Sequence, residues 1–141
     1  MRASAALRAL VAATLLITAL GAANAQDTSG GGAIQSGVSG QGRQIYEQIC
    51  QACHMADALG GSGAGAKIPA LADDTRLADP KYPISMVLEG RGGMPSFAAI
   101  LTPAQIAAVI TYIRSHFNHY PDAVSEAEVK RFVASSAPSP H

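Results

Sequence analysis

A chain of 141 residues has room for one domain, and ten Lys and Arg against ten Asp and Glu leave no charge excess for binding nucleic acid. Tryptophan is absent and only four Tyr and three Phe are present, so a bulky non-protein group would help to fill the core. The two cysteines, Cys50 and Cys53, could close only a very short loop, which excludes a disulfide scaffold.

The N-terminus pairs Arg2 and Arg8 with an apolar stretch from Ala9 to Leu20 and then Ala23-Asn24-Ala25. This layout predicts a signal peptide over residues 1–25, cleaved after Ala25. The uncharged run from Ala9 to Ala23 has 15 residues. A membrane-crossing helix needs roughly 20. No stable membrane span is therefore expected after cleavage, and with no cysteine at the cleavage site a lipid anchor is disfavoured. Loss of 25 residues from 141 leaves 116, and loss of Arg2 and Arg8 leaves eight basic against ten acidic side chains, a formal charge of −2. The expected location is the periplasm, where free thiols do not persist, so Cys50 and Cys53 need a chemical explanation.

Residues 26–41 carry five glycines and three serines without apolar periodicity, which reads as a flexible leader. From Gly42, the positions Ile45, Tyr46, Ile49, Cys50 and Cys53 fall on one helical face and predict a helix over about 42–52. The glycines at 60, 61, 63 and 65 precede Lys67, but no strand comes before them and no Ser or Thr follows the lysine, so a phosphate loop is rejected. A short helix is expected over 70–78 and another over Lys81–Glu89, with Gly90 as its left-handed C-terminal residue. Arg91-Gly92-Gly93-Met94-Pro95 should be an irregular loop. Thr102, Pro103 and Gln105 mark a capped start for a helix over 103–117, its apolar stripe running through Ile106, Val109, Ile110, Ile113 and Phe117. Ser125 and Glu128 mark another start, for a helix over about 126–134. No strand pair is convincing, so the fold class is all-α. The expected organisation is a core domain over 42–118, an extension with a short helix over 119–134, and a disordered tail over 135–141.

Cys50-Gln51-Ala52-Cys53-His54 is C-x-x-C-H, the attachment signal of a c-type haem. Cysteines three apart at a helix end can meet the two vinyl groups on one porphyrin edge, and the next residue can turn an imidazole toward the iron. Thioether bonds also explain how two thiols persist outside the cytoplasm. A thioredoxin-like redox pair requires a βαβ setting, which this helical chain lacks. A zinc site requires further Cys or His ligands at suitable spacing, and none follows. The cofactor expected is therefore one haem c with its iron, bound through Cys50 and Cys53, with His54 as one axial ligand.

The second axial ligand decides what such an iron can do. Met94 lies 40 residues beyond His54 in the irregular loop, where backbone freedom would let a thioether reach the opposite face. Of the other methionines, Met1 leaves with the signal peptide, Met55 adjoins His54 and Met86 falls in an expected helix. His116 and His119 are chemical rivals, but both are expected to face solvent.

Over about residues 40–118 the chain resembles a small class I cytochrome c. The likeness is carried by G-R-Q-I-Y-E-Q-I-C-Q-A-C-H, I-P-A-L, G-G-M-P-S-F and V-I-T-Y-I-R. It implies several short helices wrapped around one covalently attached haem, with His54 and Met94 on the iron. It also implies that the Pro69 carbonyl accepts the Nδ1 hydrogen bond of His54, that Leu71 packs on the haem, and that Gly42 and Tyr46 meet Tyr112 at a helix crossing. Tyr82, Phe97 and Ile110 complete the expected apolar surround, and Arg91 and Tyr82 are candidate partners for a haem propionate.

The expected function is a periplasmic one-electron carrier, not an enzyme, passing electrons between a dehydrogenase or quinol-oxidising complex and a terminal acceptor. Its partners would be redox proteins, a periplasmic dehydrogenase among them. The alternative is an open-iron haem module for gas binding or peroxidatic chemistry, which would require Met94 to stay off the iron.

Overall fold

The computed structural model describes residue 37 and residues 40–63 and 66–136. The expected signal peptide, nearly all of the expected leader and residues 137–141 lie outside the described residues. Gly40 and Gln41 are already helical, and so are Ser135 and Ser136 at the other end.

The first helix, α1, covers 40–54 and changes pitch along its length. Ordinary helix over 40–45 gives way to a single π-turn at Tyr46–Cys50, and a final turn Gln51–His54 completes it. The wide turn breaks the regular spacing expected from the apolar pattern. Ile45 and Tyr46 stay buried, Ile49 and Cys50 are half-buried, and Cys53 emerges at the surface.

The glycine-rich segment departs from expectation. It forms a small antiparallel hairpin, β1 (Gly61–Gly63) and β2 (Ala66–Ile68), with Ser62 opposite Lys67. Small residues let the backbone fold back on itself and pair, a local event that side-chain periodicity cannot reveal.

The helix expected over 70–78 shrinks to a 3-10 turn at Thr75–Ala78. Asp73 takes a positive φ of 53°, and Asp74 is extended with its side chain accepting from Arg76 N–H. Both conformations stop a helix from starting earlier. The next helix, α2, spans Lys81–Glu89 as expected. Gly90 has φ of 72°, but its ψ of 170° puts it in extended, glycine-only space instead of the left-handed helical region.

The long helix α3 (Pro103–Asn118) begins at a complete capping box, Thr102 with Gln105. Ile106, Val109, Ile110 and Ile113 form the centre of the core. Helix α1 crosses α3 at Gly42, where an added Cβ would sit 2.1 Å from the Ala108 carbonyl oxygen. No residue with a side chain fits that approach. Just beyond the crossing, the Tyr46 ring lies 5.7 Å from Tyr112 and 5.1 Å from Phe117, centroid to centroid.

Helix α4 (Glu126–Ser136) packs Val129 fully into the core. The Val124 N–H donates to Thr111 Oγ1 at 2.9 Å, and Thr111 in turn donates to Ala107 O at 2.8 Å. Arg114 is buried yet has three acceptors, Leu77 O, Ala78 O and Asp122 O, at 2.9, 3.1 and 2.6 Å. A buried guanidinium is tolerable only when so satisfied. The extension is thereby sewn to the core, and no described helix is long and apolar enough to cross a membrane.

Candidate functional site

The end of α1 brings Cys50, Cys53 and His54 to one place. Cys50 and Cys53 are not bonded to each other. Burial, with Cys53 as a lesser influence, pushes the Cys50 thiol up to about 11. Burial therefore favours the neutral thiol over the thiolate at Cys50.

His54 is buried at 8% exposure, and its Nδ1 lies 3.1 Å from Pro69 O. That contact requires Nδ1 to carry the proton, which leaves the Nε2 lone pair free for a metal. Burial also lowers the imidazole pKa below its ordinary value, the Pro69 bond opposing the shift. A neutral ring is the form that can ligate.

The backbone after His54 is tightly folded. Met55 has φ of 66° and ψ of 166°, a conformation side chains rarely tolerate. Its carbonyl receives the Tyr46 hydroxyl at 2.7 Å. The His54 carbonyl accepts from Gly60 N–H at 3.1 Å, and the Ala58 carbonyl accepts from Leu71 at 2.7 Å and from Ala72 at 3.1 Å. Gly60 has φ of 68°, and a Cβ there would meet Ile68 O at 2.4 Å and Pro69 O at 2.7 Å. The chain thus doubles back closely enough to put the Pro69 carbonyl over the histidine.

Met94 sits at the far end of a tight turn. Arg91 N–H donates to Met94 O at 2.9 Å and Met94 N–H donates to Arg91 O at 3.0 Å, with Gly92 at φ of 59° between them. The segment is pinned to the end of α2 by Phe97 N–H donating to Val87 O at 2.9 Å. The expected irregular loop is in fact a two-residue hairpin turn, the geometry that glycine at its first central position permits. Met94 is half-buried against the core, together with Ile49, Cys50, Leu71, Tyr82, Leu88 and Phe97. Tyr46 and Ile110, also expected around the site, are fully buried. Arg91 is exposed.

Both rival ligands are exposed. His116 is exposed and stacks on Tyr112 at 4.9 Å with the rings 13° from parallel. His119 is exposed and ends α3 in the left-handed conformation.

The residues present suit a haem: two unpaired cysteines one helical turn apart, a neutral imidazole anchored at one nitrogen, and half-buried apolar side chains around them. Sequence reasoning overlooked Asn118, Thr111 and Arg114, which tether distant segments through side-chain hydrogen bonds. Nothing in hydropathy marks such residues. The position of Asn118 at a helix end was the one available signal.

A short helical fold closed around an anchored histidine and two cysteines defines a c-type haem protein. The family model described as cytochrome c oxidase, cbb3-type, subunit III, matches residues 39–113. Cytochrome c6 of Gloeothece citriformis is 35% identical over 82 residues, which cover 55% of this chain and 71% of that relative. The chain belongs to the class I c-type cytochromes. Membership implies covalently bound haem c with its iron and a part in electron transport.

Proposed function

We propose that the protein is a periplasmic carrier holding one haem c, with His54 and Met94 as axial ligands and thioether bonds from Cys50 and Cys53. The observation that carries this reading is the His54 imidazole, buried and tied at Nδ1 to Pro69 O within one residue of Cys53. When bound, haem c supplies a one-electron couple at its iron. His54 would present Nε2 to the metal from a ring that cannot rotate freely. Met94, fixed by the Gly92-Gly93 turn, would offer its thioether from another segment of chain. A thioether opposite an imidazole favours the ferrous state relative to two imidazoles. The half-buried Leu71, Tyr82 and Phe97 would limit water and favour the less charged state further.

With both axial positions taken by side chains, the iron would have no place for a substrate. This supports a carrier over an enzyme, and over the open-iron alternative of gas binding or peroxidatic chemistry. The extension packed by Val124 and Val129 is part of the same core domain in this reading. Redox partners, a periplasmic dehydrogenase among them, would receive or deliver the electron through a small, transient contact.

The test is expression in a host competent in cytochrome maturation, followed by mass spectrometry and a pyridine haemochrome assay of the exported product. One haem on the peptide bearing Cys50 and Cys53 is the expected result. The ferric protein should also show a near-infrared thioether-to-iron charge-transfer band that Met94→Ala removes. A colourless, folded product would overturn the reading. A haem protein that lacks the band and binds carbon monoxide readily when reduced would replace it with the open-iron alternative.

A further inference from the structure

The Pro69 carbonyl can hold the His54 ring only if the segment carrying it is held in turn. That segment, residues 69–74, contains no regular helix or strand. Three anchors fix it. Ala58 O accepts from the N–H groups of Leu71 and Ala72, and Phe117 O accepts from Asp73 N–H at 3.3 Å. The third anchor is a side chain: Asn118 Nδ2 donates to Leu71 O at 2.8 Å, while Asn118 Oδ1 accepts from Asp74 N–H, also at 2.8 Å.

The amide of Asn118 has one workable orientation. Its Nδ2 also donates to Ile113 O, five residues back on α3, at 3.0 Å. Flipping the amide would set its oxygen against two carbonyls and its nitrogen against an N–H. Asn118 is thus locked to its own helix at one point and grips the loop at two, 44 and 47 residues away in sequence. Apart from His54 itself, whose Nδ1 bonds Pro69 O, no other side chain hydrogen-bonds the backbone of 69–74 from outside that segment among the described residues.

We propose that Asn118 is a positioning residue for the axial histidine, acting through Leu71 and Asp74 to hold the Pro69 carbonyl on His54 Nδ1. The inference rests on the assignment of His54 as an iron ligand. A firm Nδ1–H bond makes Nε2 a stronger donor and stabilises ferric iron. Releasing the loop weakens that bond, so the potential rises.

The test uses the haem-loaded protein and two neutral variants, Asn118→Ala and Asn118→Ser. Serine is too short to bridge to Leu71 but disturbs the helix end less. Either variant, if it folds, should raise the ferrous-to-ferric ratio at fixed potential by about threefold, ~28 mV at 59 mV per decade for one electron. Solvent exchange of the His54 Nδ1 proton in the ferrous protein, followed by NMR, should speed up by about tenfold. Thr111→Val is the control. It cuts the Val124 tether on the same helix and should lower stability while leaving both readouts unmoved. If Asn118→Ser loses stability but keeps the parent potential and proton exchange, Asn118 is merely structural and the proposal is wrong. A parent protein with haem but no histidine ligation would instead overturn the ligand assignment, and this inference with it.

Discussion

The segment from Tyr46 to Pro69 and the helical pair α3 and α4 are built by opposite means. Among its described residues the first contains a π-turn and three positive φ angles, at Met55, Ala58 and Gly60. It keeps its shape through a hydrogen bond within it, from the Tyr46 hydroxyl to Met55 O, and through two from outside, the Leu71 and Ala72 N–H groups donating to Ala58 O. The second is regular, opened by the Thr102–Gln105 and Ser125–Glu128 boxes and filled by Ile106, Val109, Ile110 and Val129. Regular helices supply burial and rigidity. The irregular segment places one imidazole nitrogen and one carbonyl, and its strain persists because the tethers over-determine it.

The largest expected effect lies one turn before the irregular segment, where α1 crosses α3. Gly42→Ala forces a Cβ against Ala108 O and Tyr112 Cβ, and should cost about 3 kcal/mol in denaturant unfolding, at the upper end for overpacking. An unchanged midpoint would mean that the crossing is loose and cannot brace Tyr46.

The next effect separates the tethers from the scaffold. Tyr46→Phe removes the hydroxyl from Met55 O and should cost about 1 kcal/mol. It should also change the alkaline limb of the stability curve. Burial pushes the Tyr46 phenol from its ordinary 10.0 up to about 12. The folded state therefore keeps a proton that the unfolded chain gives up, so the contribution is full below pH 10 and is lost as pH rises toward about 12. The Phe variant should lack that component of the loss, as measured by unfolding at a series of alkaline pH values.

The smallest effect belongs to the regular region alone. Hydrogen bonds from Ser125 hold the Glu128 carboxyl below its ordinary 4.5. Its stabilisation is present above that value and fades as pH falls through the lower, folded-state one. Amide protection in α4, taken relative to the intrinsic exchange rate at each pH, should fall on acidification while α3 stays protected. Glu128→Gln, which keeps an acceptor but cannot titrate, should abolish the response. Loosening of both helices together in the parent protein would show that α4 is not a separable unit.

Much of the regular region was readable from residue patterns. Thr102, Pro103 and Gln105 announce α3, and Ser125 with Glu128 announces α4, because capping is chemistry among residues three apart. C-x-x-C-H was readable for the same reason: Cys50, Cys53 and His54 are neighbours in the chain. The hairpin at Gly61–Ile68 and the truncated helix before Ala78 were not. The first depends on backbone pairing among residues with no side-chain signature. The second depends on Asn118 and Phe117 drawing Asp73 and Asp74 out of helical geometry from more than forty residues away.

Sequence alone therefore determined the fold class and the starts of α3 and α4, and it singled out the residues proposed to bind a haem, since each follows from chemistry within a turn or two of chain. Tertiary structure decided how the segment carrying the Pro69 carbonyl is held on His54 Nδ1, and that Arg114 and Thr111 bind the extension to the core. Those outcomes require partners far apart in the chain, whose meeting is set by the crossing at Gly42 and the packing of α3.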